Sequence, residues 1–118
     1  MEELIQKLKE AGCSMDETIK RFLDKKDFMI RCMGKALEDE DFDNLGKALE
    51  SENAEEAFRY SHGLKGVLLN VGLDPVYDDV TVIVEKLRAG RWDESVVEDY
   101  KKLLEDRKNF AQLLKQLR

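Results

Sequence analysis

AEEAFRYSHGLKGVLLNV, residues 54–71, reads as a helix with two unlike faces, and those faces decide the fold. Asn53 followed by Glu56 is a capping-box pattern at its start. Gly72 suits the left-handed position just past its end. On a wheel of 100° per residue with His62 at zero, Ala57, Tyr60, Leu64, Val67, Leu68 and Val71 fall between about 140° and 240°. They form one continuous apolar stripe. His62 points almost directly away from it, so the chain's one histidine is predicted to face solvent rather than the core.

The stripe needs other helices to cover it, and the flanking sequence supplies them. Upstream, Leu4, Ile5, Leu8 and Ala11 share a face and Gly12 can end that helix. Ser14 with Glu17 makes a second capping box, ahead of a stripe of Met15, Ile19, Phe22 and Leu23. The DKKD run at 24–27 predicts a break or kink. Phe28, Met29, Cys32, Met33, Ala36 and Leu37 then recur at helical spacing, and after the acidic turn at 38–41 so do Phe42, Leu45, Ala48 and Leu49. Downstream, Asp74-Pro75 predicts an N-cap followed by proline at the first helical position. Val80-Thr-Val-Ile-Val84 has strand propensity, but Val76, Val80, Ile83 and Leu87 keep a helical pattern and Gly90 supplies a stop. Trp92 is expected to plug or staple the bundle end. From about Glu94 to Leu117, Val96, Tyr100, Leu103, Arg107, Phe110, Leu114 and Leu117 alternate steps of four and three. Arg107 interrupts that seam and is expected at an edge, its stem packed and its charge in water. Long amphipathic helices with short connections predict an all-α fold: an antiparallel up-down four-helix bundle with additional short N-terminal helices, residues 1–118 making a single domain.

Composition narrows the function. The 118-residue chain carries a net charge of −6, against binding to nucleic acid or an anionic membrane surface. No apolar run approaches the roughly 20 residues that span a bilayer, and the charged, amphipathic start does not resemble a signal peptide. A cytoplasmic protein is expected. Cys13 and Cys32 do not make a disulfide scaffold. With one histidine and no CxxC, no metal site is expected.

The face around His62 is where function is expected. Arg59 and Lys65, at i−3 and i+3, lie within reach of whatever the ring carries, and their charge would attract phosphoryl oxygens. Gly63 and Gly66 each cost roughly 1 kcal/mol relative to alanine in a helix interior. They either clear a surface for another protein or allow tight helix–helix packing. Phe58 and Leu69 fall within about 40° of His62 and can centre a docking patch, although Phe58 could equally pack under an N-terminal helix.

The stretch from Ser61 to Gly72 resembles the motif of histidine-containing phosphotransfer (HPt) domains, H-x-L-K-G followed by small or apolar residues and a closing glycine. His62, Leu64, Lys65, Gly66, Asn70 and Gly72 carry the match. The layout from about residue 10 to 117 is similar too, including a proline-started helix, the Glu85–Gly90 ending and a long last helix. The resemblance implies that His62 accepts a phosphoryl group from a receiver-domain aspartate and passes it to another receiver. Lys65 would hold the phosphoryl oxygens, and Gly66 would leave room for the receiver. Phe58, Arg59, Gly63, Gly66 and Leu69 are the expected docking residues. Such a protein is a carrier rather than an enzyme, has no cofactor of its own and relies on magnesium bound to the receiver. Gly63, where the family often has Thr, and the bulky Val67-Leu68 pair depart from the pattern and bear on partner choice and packing.

Two other functions compete. One is a non-transferring interaction module that binds a receiver or kinase, which would have no need of His62. The other is an enzyme with its own active site, but the acidic residues lie scattered along helix faces with no spacing that demands acid–base work. Expected partners are receiver (response-regulator) domains, with a hybrid sensor histidine kinase as a further candidate, and the chain is expected to be a monomer.

Overall fold

In the computed structural model, which describes residues 1–116, the apolar spacing of the sequence becomes seven helices among those residues. They are α1 (Glu2–Glu10), α2 (Met15–Arg21), α3 (Lys26–Leu37), α4 (Asp41–Glu50), α5 (Ala54–Asn70), α6 (Asp74–Arg88) and α7 (Glu94–Gln116). No strand occurs among the described residues; the β-branched run at 80–84 is helical within α6. Val80, Ile83 and Val84 are fully buried there, so packing overrides their intrinsic preference.

Helices α4 to α7 form the bundle, and side-chain contacts show that α5 and α6, and then α6 and α7, run antiparallel. Arg88 lies over Phe58, whereas Glu85 faces Lys65: later on α5 means earlier on α6. Lys86 likewise meets Asp99 while Asp79 meets Lys102, reversing direction again between α6 and α7. Connections of three to five residues leave the chain no room for any other arrangement. Helices α1–α3 pack against this bundle, and one continuous cluster of buried side chains draws on all seven.

Some helix ends are resolved by local chemistry and others by distant partners. Asn53 Oδ1 accepts from the Glu56 N–H at 3.1 Å, the cap expected at the start of α5. Gly90 takes a left-handed φ of +76° after α6, as a terminating glycine should. Ser14, by contrast, makes no capping hydrogen bond to its own helix. Its N–H and hydroxyl both donate to Asp74 Oδ1, at 3.0 and 2.8 Å. Asp74 is therefore not a free N-cap: α6 begins at Asp74 itself, after Leu73, and the carboxylate serves the N-terminal segment instead.

Several single positions differ from the periodic pattern. α2 ends at Arg21, so the expected stripe residue Leu23 falls in the following turn, 77% exposed, with φ +55°. Thr18 takes the buried place, its hydroxyl donating to the Ser14 carbonyl at 2.6 Å. Ala11, Phe28 and Val67 are also exposed rather than buried, each on the margin of its stripe. Along α7, Val96, Leu103, Phe110 and Leu114 are buried, while Leu117 lies outside the described residues. Arg107 does not end in water: its Nε donates to the Leu37 carbonyl at 2.7 Å and its guanidinium lies 4.3 Å from the centre of the Phe42 ring. The polar residue in the seam satisfies an orphan carbonyl at the end of α3.

Candidate functional site

The wheel's prediction for α5 holds for its central residues. Ala57, Leu64 and Leu68 are fully buried, and His62 is exposed on the opposite side. Ser61, the small residue beside it, is buried with its hydroxyl donating to the Phe58 carbonyl at 3.1 Å. A small side chain there lets α5 lie close on its neighbours while holding the next residue outward.

The His62 ring stacks on Phe58, one turn earlier, with centroids 5.6 Å apart and planes at 30°. Phe58 lies on the α6 side of α5, beside Leu87 and Arg88. Its other partner is Arg88 of α6, whose guanidinium carbon lies 5.3 Å from the ring centre, within the range of a cation–π contact. The Lys65 amino group, on a stem that is mostly covered, lies 4.0 Å from Glu85 Oε1. The same carboxylate oxygen lies 3.6 Å from Arg88 Nε. Lys65 and Arg88 are thus held around one acid, Glu85, at the edge of the His62 face.

Arg59 is arranged differently from the expectation. Its guanidinium lies over the Tyr60 ring at 5.0 Å, donates to the Tyr60 hydroxyl at 3.3 Å and lies 3.8 Å from Glu56. Those contacts draw its charge along the flank of α5. The guanidinium that lies over Phe58 is that of Arg88.

The two glycines separate. A Cβ on Gly63 would lie 3.6 Å from Asp41 Oδ2 at the start of α4, an ordinary contact, so packing does not require glycine there. A Cβ on Gly66 would meet nothing within 4 Å. Tight helix packing therefore explains neither residue. Leu69, 48% exposed, continues the same face one turn beyond Gly66. The carbonyls of Leu69 and Asn70, at the end of α5, accept hydrogen bonds from Arg21 of α2. Together these residues make an exposed strip with an imidazole, an aromatic ring stacked on it, the Lys65 and Arg88 cations paired with Glu85, and open ground at Gly66.

Glu85 and Arg88 carry no site signal in the sequence beyond closing a helix. They become visible only once α6 is folded back on α5 across the three-residue connection at 71–73. Among the described residues no group of three His, Cys, Asp or Glu side chains could hold a metal ion, and no helix is long and apolar enough to cross a membrane. Cys13 is buried, and burial, with the nearby Asp74 charge, pushes its thiol up to about 12, so it is not a reactive thiolate.

Compared with known families, residues 36–118 match the model described as Hpt domain, well over half of the chain. The matched part comprises α4–α7 and the end of α3; α1 and α2 precede it. No curated protein and no solved structure matches the chain.

Proposed function

The chain belongs to the Hpt domain family, a phosphocarrier family of two-component signalling, and from that premise we propose that His62 relays a phosphoryl group to and from receiver-domain aspartates. The observation that carries this reading is the exposed His62 on α5, with Lys65 one turn on, Arg88 over the Phe58 ring that stacks on it, and unobstructed surface at Gly66.

In the forward step the lone pair of the unprotonated ring nitrogen attacks phosphorus. The N–P bond forms as the P–O bond of the aspartyl phosphate breaks, and the departing carboxylate keeps that electron pair. The return step runs the same bonds in reverse. Phosphoryl transfer depends mainly on positioning and charge stabilisation. Phe58 holds the imidazole plane by stacking, and Lys65, freed from Glu85, can reach the phosphoryl oxygens as a compact cation. Gly66 gives the incoming domain its closest approach, with Phe58, Gly63 and Leu69 as the apolar and small contacts around it and Arg59 at the rim. The magnesium ion belongs to the receiver. Residues 1–118 acting as one cytoplasmic unit, as a monomer, with receivers and a hybrid kinase as partners, complete this reading.

The experiment is transfer from a phosphorylated receiver domain with magnesium, run beside a His62→Gln variant. Acid-labile, base-stable phosphate on the wild type alone is the expected result. Receivers that bind measurably yet transfer nothing would replace the carrier with an interaction module.

A further inference from the structure

Resting on the carrier reading, we propose that Glu85 is a positioning residue that restrains phosphorylation of His62 by holding Lys65 and Arg88 in ion pairs on the unphosphorylated protein. Glu85 Oε1 lies 4.0 Å from Lys65 Nζ and 3.6 Å from Arg88 Nε. Arg88 lies over Phe58, and Phe58 stacks on His62. One carboxylate on α6 thus engages both Lys65, one turn after His62 on α5, and Arg88, which lies over the ring that stacks on the imidazole.

The neighbouring residue points the other way. Lys86 pairs with Asp99 of α7 at 2.6 Å and donates to Ser95 at 3.0 Å, so α6 directs Lys86 into the bundle and Glu85 to the His62 side. Nothing in the packing requires a carboxylate at 85, which is exposed. Exposed ion pairs contribute little to folding, so the pairs of Glu85 are better understood by what they do to the cations. A phosphoryl group arriving on His62 competes with Glu85 for both. It also brings negative charge toward a negative side chain, and like charges on one face of the protein repel. Both effects favour passing the phosphoryl group on over retaining it, which suits a relay.

The test uses the full chain and phosphoramidate, a small donor whose N–P bond breaks to release ammonia as the group passes to the imidazole. It needs no receiver, so docking does not enter the measurement. Glu85→Gln is expected to take phosphate on His62 about fivefold faster than wild type and to keep it longer, with the gain shrinking as salt rises. The double variants Glu85→Gln/Lys65→Ala and Glu85→Gln/Arg88→Ala are expected to lose much of that gain relative to Lys65→Ala and Arg88→Ala alone. A purely structural role for Glu85 would not produce this dependence. Equal rates for wild type and Glu85→Gln overturn the inference. A gain undiminished in both cation-deleted backgrounds overturns it too, since Glu85 would then act as a bare repelling charge. A wild type that takes no phosphate on His62 overturns the carrier reading itself, and this inference with it.

Discussion

Beyond its chain neighbours and its own helix backbone, a Cβ at position 66 would meet nothing within 4 Å among the described residues, yet glycine costs about 1 kcal/mol relative to alanine in a helix interior. A residue that weakens its own helix without helping it pack points to something outside the fold. Gly66→Ala is therefore expected to stabilise the protein by about 0.5–1 kcal/mol in a denaturant titration. The same substitution should slow phosphotransfer from a receiver by about tenfold or more, because a methyl group forced into a tight contact costs about 1–3 kcal/mol. Higher stability with undiminished transfer would mean that Gly66 is not under the receiver. Gly72 is the contrasting case. It has φ +76°, and a Cβ there would run into Thr18 of α2, so its glycine is demanded from within.

Helix α6 sets one face toward α5 and another toward α7, and the second contains a buried carboxyl. Asp79 Oδ1 accepts from Lys102 of α7 at 3.1 Å, but Oδ2 has no hydrogen-bond partner among the described residues. Burial first, then its contact with Asp106, pushes the Asp79 carboxyl up to about 7, against the opposing pull of Lys102. A protonated Asp79 can donate to Asp106, whose own carboxyl is lowered by that contact. Because the folded state holds this proton more tightly than the unfolded chain does, the group's contribution to stability is full below about pH 4. It is lost as pH rises through about 7. Asp79→Asn keeps the shape, can donate to Asp106 and accept from Lys102, and has no proton to lose. It is expected to raise stability at pH 8 by about 1–2 kcal/mol and to flatten the pH 4–8 dependence of the thermal midpoint. An unchanged pH profile would show that Asp79 is not the titrating group.

Across the whole molecule, α1–α3 share the buried core of the bundle, and specific polar ties add to that packing. Asp74 takes two hydrogen bonds from Ser14, Arg21 caps the last carbonyls of α5, and Thr18 packs on Gly72. Asp74→Ala removes a charged acceptor from two donors and is expected to cost about 2 kcal/mol. Faster limited proteolysis between α1 and α3 should accompany that loss, and a midpoint and cleavage rate equal to wild type would show that the tie contributes nothing. These ties also mark how far the sequence could be read. The seven helices, the buried stripe of α5, the Asn53 cap, the Gly90 stop and the outward His62 follow from spacing and end signals that act within one or two turns. The chain therefore determined them locally. The partners of Ser14 and Asp74, 60 residues apart, were not legible, because each carries an ordinary capping signal that a distant partner outcompetes. Nor was the turn of Arg59 onto Tyr60, or the gathering of Lys65 and Arg88 around Glu85. Sequence alone determined which residue faces solvent, since helical periodicity decides orientation. Only the tertiary structure decided which charges stand beside it, since that depends on how α6 folds back against α5.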